Sequence, residues 1–340
     1  MSKISIFIPV YNGESYLAKT IDSILNSSFK DFEALFVDDG SSDTSVDILK
    51  AASIKDKRIK VFVKEHEGSV PYSWNFIFKY IKSPWTLYMS HDDLLHPNLL
   101  ENLIITQQKT NADCVIPSCR FFTEEKGIDA FPELNKINDM TWRAKLGSIS
   151  GKTAFELMFD YEIPGFALWK TDLIKKHGMP TEAFNSDEGM QRIWILNCNI
   201  VAFEPTPFYY RLHNNSIGSG IKLHHFFSVL TEKKLLTLAK QEKISEIKIH
   251  KAQYKSLFWT LWLYAYLKNH KNEFSSKYQD IITTLNDAYS FFCKDLSAPI
   301  SRKDKILYLI SKSSFTKHLY ISIYSLYLKK KYKIITNNSL

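Results

Sequence analysis

Apolar strand-like runs alternate with helical stripes along the first 120 residues, and this alternation limits the possible fold more than any other feature. Five runs are rich in β-branched and aromatic residues, as buried strands are: residues 4–10, 32–37, 58–63, 85–89 and 112–117. They begin about every 25 to 30 residues, which is the length of a βαβ unit. The sequence therefore predicts an α/β fold with a doubly wound, mostly parallel sheet.

Helical signals fill the spaces between these runs. Apolar spacing predicts helices over residues 16–25 and 72–81, and Ser41, Ser42 and Asp43 supply capping chemistry for a helix through residue 49. Pro97 is expected to open a helix that continues to Thr110. Further along, helices are predicted at 153–159, 172–176 and 187–196, and short strands at 201–203 and 208–211.

Polar residues follow three of the predicted strands at the point where each strand ends. These are Tyr11-Asn12, Asp38-Asp39 and Asp92-Asp93. Ligands of doubly wound sheets bind outside the carboxyl ends of the strands, so these groups are expected to share a cleft. Adjacent carboxylates there favour a hard cation such as Mg²⁺ or Mn²⁺, although the same dipeptide also occurs in ordinary solvated turns.

Two common nucleotide-binding classes are excluded by motifs that are missing. No GxGxxG follows the first strand, which argues against a nicotinamide or flavin enzyme, and no GxxxxGK[ST] occurs, which argues against a P-loop ATPase. An acid after the second strand, such as Asp38 or Asp39, is placed to accept hydrogen bonds from a nucleobase or a ribose.

The spacing of several motifs resembles that of a known enzyme family. The motifs are IFIPVYN at residues 6–12, IDSIL at 21–25, FVDDGSSD at 36–43, and Asp92-Asp93 followed by Pro97. Their order and spacing over residues 3–110 are similar to glycosyltransferase family 2, of the bacterial cell-surface polysaccharide type, and a weaker match continues to about residue 217. The resemblance implies the Rossmann-like GT-A fold with a helical C-terminal region.

This resemblance also implies an activity and a donor site. Family members transfer a sugar, with inversion, from a nucleotide-diphospho-sugar, most often a UDP-sugar, with Mn²⁺ or Mg²⁺ as cofactor. Pro9 and Tyr11 match the positions that line the base pocket, and Asp39 matches the carboxylate that pairs with the uracil, with Asp38 beside it. Asp92 is then expected near the ribose, and Asp93 on the metal.

The acceptor side of the reaction requires a general base. Asp187-Glu188 is the candidate pair, because it stands at a predicted helix start where the family carries its acidic catalytic motif. Asp187 is favoured and Glu188 is the alternative; both are also typical acids of a helix N-terminus. In the segment from Tyr210 to Ser216, Arg211 or His213 is expected to contact the diphosphate, and His213 to complete the metal shell.

Two residues depart from the family pattern. Ser90 stands where the first Asp of the metal motif often lies, and Trp74 precedes Asn75 where the family often has Arg. Trp169 lies in a segment that resembles one near the acceptor site, where its ring would stack on a sugar unless it belongs to the core.

The positive charge of the chain is concentrated at one end. The net charge is +8 overall, but residues 1–225 hold 24 Lys and Arg against 28 Asp and Glu, whereas residues 226–340 hold 20 against 8. Residues 1–224 are therefore interpreted as the catalytic domain and 225–340 as a basic, aromatic-rich helical region, with the boundary near 216–220. The apolar run 257–267 favours a helix core.

The basic region predicts a partner and a location. Lysines that flank the aromatic stretch of the last 25 residues favour peripheral contact with anionic lipid. Nucleic acid is the poorer interpretation, since Arg302 is the only arginine in residues 225–340. The four scattered cysteines and the lack of a signal sequence favour the cytoplasm, at the inner face of the membrane. The acceptor is then a cell-surface polysaccharide or a lipid-linked glycan.

Two other functions stay open at this stage. A sugar nucleotidyltransferase shares the sheet and a metal carboxylate, but Tyr11-Asn12-Gly13-Glu14 does not supply its glycine-rich loop. A glycan-binding or scaffold protein with a decayed site is the non-enzymatic alternative, and the departures at Ser90 and Trp74 favour it slightly.

Overall fold

The computed structural model describes residues 2–128, 130–159, 162–181, 183, 185–213, 221–296, 298–299 and 301–337, with side chains as far as Leu328. The chain forms two compact units. The first comprises Met1–Thr181 and Met190–Ser219, and the second comprises Glu182–Gly189 and Gly220–Leu340. The predicted boundary segment 216–220 lies outside the described residues, so the division at 224/225 stays a prediction.

The first unit contains a single eight-stranded sheet in the described residues, with the order β3-β2-β1-β4-β7-β6-β8-β5. The strands are β1 (Ile4–Val10), β2 (Phe32–Asp38), β3 (Ile59–Val63), β4 (Trp85–Tyr88), β5 (Leu94–Leu95), β6 (Cys114–Phe122), β7 (Leu168–Lys170) and β8 (Val201–Arg211). Strands β3, β2, β1 and β4 are parallel neighbours, as are β6 and β8. The pairs β4–β7, β6–β7 and β5–β8 are antiparallel, so the sheet is mixed.

The parallel half confirms the prediction made from the apolar runs. Every residue of β1 and β2 is buried, because helices cover both faces of this part of the sheet. Burying one Ile, Leu or Phe side chain contributes about 1.5–3 kcal/mol, so these two strands anchor the unit. The core continues through β4 into the helix that follows β5, where Leu99, Leu100 and Leu103 are buried.

Nine helices are assigned in the described residues before β8. They are α1 (Glu14–Leu25), α2 (Ser45–Lys55), α3 (Val70–Ile77), α4 (Leu99–Thr110), α5 (Pro132–Ile137), α6 (Thr141–Leu146), α7 (Gly151–Phe159), α8 (Thr171–Lys175) and α9 (Ser186–Leu196). Helix α4 begins two residues after the predicted start, with Asn98 as its N-cap. Pro97 precedes the helix instead, and its carbonyl accepts the Ser28 N–H at 2.8 Å.

Strand β8 corrects the prediction of two short strands. It runs without a break from Val201 to Arg211 and pairs with β6, with one register shift between Pro117 and Ser118. Pro205 and Pro207 interrupt the apolar pattern, and neither has an N–H for the ladder. The register shift in the pairing with β6 accommodates the two prolines, so the strand continues through them.

The second unit is helical beyond residue 221 in the part of the chain described. Its helices are α10 (Leu223–Phe226), α11 (Ser228–Gln241), α12 (Glu246–Asn269), α13 (Tyr278–Cys293), α14 (Arg302–Ser311) and α15 (Ser314–Asn337), with a 3₁₀ turn at Ser275–Lys277. Leu257, Leu261 and Leu263 are fully buried, so the apolar run of α12 is core, as predicted. No helix among the described residues is both long and apolar enough to cross a membrane.

Candidate active site

Two loops at the carboxyl ends of β1 and β2 are joined by side-chain hydrogen bonds. The Asn12 N–H donates to Ser41 Oγ at 2.9 Å, and the Ser42 N–H donates to Asn12 Oδ1 at 2.9 Å. The buried Asp38 carboxylate accepts both the N–H and the hydroxyl of Ser41. Thus Ser41 and Ser42 do not cap α2, which begins only at Ser45, but fix the loop after β1 against the loop after β2.

The Asp39 carboxylate is held by the segment that follows β3. Oδ1 accepts the Glu67 N–H at 3.1 Å and forms an ion pair with Lys64, and Oδ2 accepts the Gly68 N–H at 2.9 Å. His66 Nδ1 lies 2.8 Å from the Asp39 carbonyl oxygen. A nucleobase that pairs with Asp39, as the resemblance implies, would therefore join or replace one of these donors.

Tyr11 and His66 form a stacked pair at the same edge. Their ring centroids are 4.2 Å apart with an interplanar angle of 22°. Tyr11 remains 44% exposed, so one part of its ring surface is open to a planar ligand. Pro9 is buried, and its carbonyl oxygen lies 3.3 Å from His91 Nδ1, which links the end of β1 to the Asp92-Asp93 loop.

Gly40 is required by this arrangement, and replacing it with Ala is expected to destabilise the first unit. Gly40 has φ +71°, and a Cβ there would lie 2.9 Å from the backbone nitrogen of His66. The left-handed conformation costs roughly 1–2 kcal/mol and the close contact adds to it, so we expect a loss of about 2–4 kcal/mol in the free energy of unfolding. Urea unfolding followed by tryptophan fluorescence measures it.

Gly127 provides the matched control for Gly40. It has φ +72°, but no atom of the described residues lies within 4 Å of the position that a Cβ would take. Gly127→Ala is expected to cost only the conformational part, about 1–2 kcal/mol. Equal losses for the two variants would show that the contact with His66 contributes nothing.

The position of the Asp92-Asp93 loop is set by strand pairing. Strand β5 follows the loop directly and pairs antiparallel with β8, with Leu94 opposite Tyr209. Continuing this register places Arg211 beside the two acids. The Arg211 N–H accordingly donates to Asp93 Oδ1 at 3.0 Å, and its Nε donates to the Asp92 carbonyl. The loop is also held from α1, where the Thr20 hydroxyl donates to the Asp93 carbonyl at 2.9 Å.

Asp93 is the most unusual acid of the site. Its side chain is buried, and its Oδ2 has no hydrogen-bond partner among the residues that the structure describes. Burial, together with the nearby Asp92 carboxylate, raises the pKa of Asp93 well above its usual range. A buried carboxylate oxygen without a partner is costly, and a bound cation removes that cost.

The Arg211 guanidinium lies inside the protein. Its carbon is 4.8 Å from the ring centroid of Tyr16 and 4.6 Å from that of Phe122, and the side chain forms an ion pair with Glu124. Burial lowers the pKa of Arg211, and Asp92 and Asp93 oppose that shift. In this position Arg211 holds the acidic loop in place; its contact with the diphosphate stays a prediction.

His213 and Asp92 form the second polar pair of the site. Nε2 of His213 lies 2.7 Å from Asp92 Oδ2, and its ring lies against Tyr16 at 4.7 Å between centroids. In the described part of the chain, no three His, Cys, Asp or Glu side chains form a ligand set for a metal ion. The free Asp93 oxygen beside Asp92 fits a cation that takes one or two carboxylates and completes its shell with phosphates and water, as Mg²⁺ does.

The two candidates for the general base, Asp187 and Glu188, belong to the second unit. Asp187 and Glu188 occupy the first turn of α9, and both are partly exposed. A Cβ on Gly189 would lie 2.6 Å from Thr231 Cγ2, so only glycine allows this turn to approach α11 so closely. The catalytic role of the two acids stays a prediction.

The departure at Trp74 is explained by core packing. Trp74 is 1% exposed, and its ring makes edge contacts with Phe7 at 4.5 Å and Trp194 at 5.5 Å between centroids. Trp169 is equally buried against Trp194. The interpretation of Trp169 as core is therefore confirmed, and the alternative of a sugar platform is wrong.

Asn75, the residue after Trp74, bonds to the backbone of Met179. Its Oδ1 accepts the Met179 N–H at 2.9 Å, and its Nδ2 donates to the Met179 carbonyl at 2.7 Å.

Several residues of the site were missed by the sequence interpretation. Lys64 and His66 contact Asp39, Glu124 pairs with Arg211, and Thr20 holds the acidic loop. The signal for Lys64 and His66 was present, since both follow the third predicted strand at the same edge of the sheet. Glu124 and Thr20 had no local signal, because only tertiary contacts bring them to the site.

The family profile described as "Glycosyl transferase family 2" matches residues 5–178. The chain belongs to glycosyltransferase family 2. Among curated relatives, "Glycosyltransferase GlyG" of Streptococcus pneumoniae is 26% identical over 218 residues, which are 63% of this chain and 72% of that protein. An uncharacterized glycosyltransferase of Rickettsia felis is 34% identical over 143 residues, or 40% of this chain and 23% of the relative. The match thus spans under a quarter of that relative's length.

Solved structures of glycosyltransferases share the fold. S. aureus TarS 1-349 in complex with UDP-GlcNAc matches with a TM-score of 0.66 at 15% identity. The match covers 96% of this chain and 92% of the TarS chain. The mannosyltransferase PcManGT of Pyrobaculum calidifontis, in complex with GDP-Man and Mn²⁺, has a TM-score of 0.51 at 11% identity, covering 96% and 88%. The predicted GT-A fold class and the prediction of a glycosyltransferase are confirmed.

Proposed function

We propose that this family 2 enzyme transfers a hexosyl or N-acetylhexosaminyl group, with inversion, from a nucleotide-diphospho-sugar to a hydroxyl of a glycan. The observation that carries the proposal is the Asp92-Asp93 loop, which β8 holds at the strand ends. One carboxylate oxygen of Asp93 is unpaired in the part of the chain that the structure describes. The related folds with UDP-GlcNAc and GDP-Man support a nucleotide-sugar donor. We favour a UDP-sugar because the motifs resemble UDP-dependent family members.

The donor would lie along the edge formed by β1, β2 and β4. Its base would stack on Tyr11, above the buried Pro9, and pair with Asp39; Asp38 keeps the loop beside it in place through Ser41. Asp92 would contact the ribose. Asp93, with His213 nearby, would hold Mn²⁺ or Mg²⁺, and such a cation neutralises charge on the leaving diphosphate.

Transfer then requires one displacement at the anomeric carbon. The acceptor oxygen would form a bond to that carbon while the bond from the carbon to the diphosphate oxygen breaks. Asp187, or Glu188 in its place, would take the proton of the acceptor hydroxyl. Positioning of the reactants and stabilisation of the leaving charge would supply most of the acceleration.

The acceptor is proposed to be a cell-surface polysaccharide or a lipid-linked glycan, handled at the inner face of a membrane. The support is the distribution of charge. Residues 302–340 contain nine Lys or Arg and one Asp, which equals the whole surplus of +8 in the chain. A cationic region of this kind is attracted to anionic lipid and to anionic, lipid-linked acceptors.

A donor panel tests the function. The full chain is incubated with UDP-, GDP- and dTDP-sugars in the presence of Mn²⁺, Mg²⁺ or EDTA, and release of the nucleoside diphosphate is measured. We expect hydrolysis of one nucleotide class that EDTA abolishes. Release of pyrophosphate from a nucleoside triphosphate and a sugar phosphate would indicate a nucleotidyltransferase instead. Sugar binding without turnover of any donor would indicate a glycan-binding protein.

A further inference from the structure

Helix α15 is packed into the second unit along one face. Its buried residues recur every three or four positions and are Lys317, Ile321, Ser325 and Leu328. Polar contacts fix this seam: Ser325 Oγ donates to Asn269 Oδ1 at 2.6 Å, and Lys317 Nζ donates to the Tyr264 hydroxyl at 3.1 Å. The orientation of α15 about its own axis is therefore determined by α12.

The opposite face of α15 is apolar as well. Four large residues recur there with the same spacing, and each is exposed: Phe315 (74%), Leu319 (49%), Ile323 (59%) and Leu326 (69%). They are offset by two positions from the buried seam, and two residues correspond to about 200° around a helix. An apolar stripe thus faces away from α12 along about three turns.

Helix α14 carries two further exposed apolar residues and adds positive charge. Ile306 (55%) and Leu309 (65%) are exposed. The two helices meet where the Thr316 hydroxyl oxygen lies 3.3 Å and 3.2 Å from the Leu309 and Ile310 carbonyl oxygens. Among the described side chains of these helices and the turn between them, the exposed cations are Arg302, Lys303, Lys305 and Lys312. Single exposed apolar residues are ordinary, but six on one pair of helices mark an interaction surface.

We propose that this surface, the six apolar residues of α14 and α15 with their flanking cations, inserts into the headgroup region of an anionic lipid bilayer. Apolar side chains bordered by lysine and arginine are the pattern of a helix that lies in a membrane interface. Charge decides between this occupant and a second copy of the chain, because two copies would bring surfaces of the same positive sign together. The inference deepens the proposed membrane contact and rests on it, but it does not depend on the donor chemistry.

The test uses point variants of the full chain, because deleting α15 would also remove its buried seam. Leu319→Glu/Ile323→Glu places two acids in the stripe. The matched control is Ile54→Glu/Ile137→Glu, which changes two residues of the first unit that are 75% and 60% exposed. Binding is measured by cosedimentation with vesicles of phosphatidylglycerol and phosphatidylcholine, and with vesicles of phosphatidylcholine alone. Sedimentation velocity reports self-association.

We expect the wild type and the control to bind the anionic vesicles, more weakly when NaCl rises from about 0.1 M to about 0.5 M. The stripe variant should bind at least about tenfold more weakly. Failure of the wild type to bind, or equal binding by the stripe variant and the control, would overturn the proposal. So would a wild-type dimer that the stripe variant abolishes while neither protein binds vesicles. Lipid-free donor hydrolysis, measured in parallel, shows separately whether the proposed sugar transfer holds.

Discussion

Asp187→Asn is expected to lower sugar transfer by about 10²- to 10⁴-fold, which is the usual contribution of a general base. Asn keeps the size and polarity of Asp but cannot take the proton of the acceptor hydroxyl. Nucleotide binding should be unchanged, because none of the predicted donor residues is altered. Turnover with donor and acceptor, together with calorimetric titration of the nucleoside diphosphate, measures the two effects independently.

Glu188→Gln is the matched control for this experiment. It makes the same chemical change at the next position of the first turn of α9, where both acids benefit from the helix dipole. If Asp187 is the base, Glu188→Gln should keep transfer within a few-fold of wild type. Loss of transfer in Glu188→Gln alone would assign the base to Glu188, and near-normal turnover in both variants would refute the assignment of the pair.

Asp93→Asn is expected to reduce metal-dependent turnover by about 10²- to 10³-fold. The amide oxygen of Asn can still accept the Arg211 N–H, so the loop should keep its place, while the charge that would hold a cation is lost. Because burial already disfavours the ionised form of Asp93, the neutral side chain should leave the unfolding temperature unchanged or raise it. Turnover across a Mn²⁺ titration and thermal unfolding measure the two effects.

Asp22→Asn is the control for the change in charge. Asp22 lies on the exposed side of α1, and the substitution removes the same unit of charge from a side chain that makes none of the hydrogen bonds described for the acidic loop. It should alter neither turnover nor its dependence on Mn²⁺. Activity of Asp93→Asn close to that of this control would refute a role for Asp93 in holding a metal.

The parallel half of the fold was predictable because its signals are local. A run such as Ile4–Val10, with six apolar residues in seven, must be buried on both faces, and the helical stripes between the runs must cover them. The short antiparallel strands β5 and β7 carried no such signal. Strand β7 has three residues and β5 has two, which is too short for a periodicity, and both exist only because a neighbouring strand is present.

The candidate site was predictable as a set of residue types, and less so as a set of contacts. Asp39 and Asp92 lie after the carboxyl ends of β2 and β4, as the sequence predicted. The donors around Asp39 come from Lys64 and the backbone of Glu67 and Gly68, and a sequence pattern does not indicate which backbone N–H groups will face a carboxylate. Trp74 is the opposite example. The family pattern suggested that this position belongs to the donor site, whereas the structure places its side chain in an aromatic core.

The sequence by itself determined the alternation of strands and helices, the acids at the strand ends and the excess of positive charge after residue 225. These depend on periodicity and composition, which are properties of neighbouring residues. Only the tertiary structure decided that Arg211 holds Asp93, from 118 residues away, and which face of α15 is buried. Both faces of that helix are apolar, so the choice between them depends on the contacts that α12 offers.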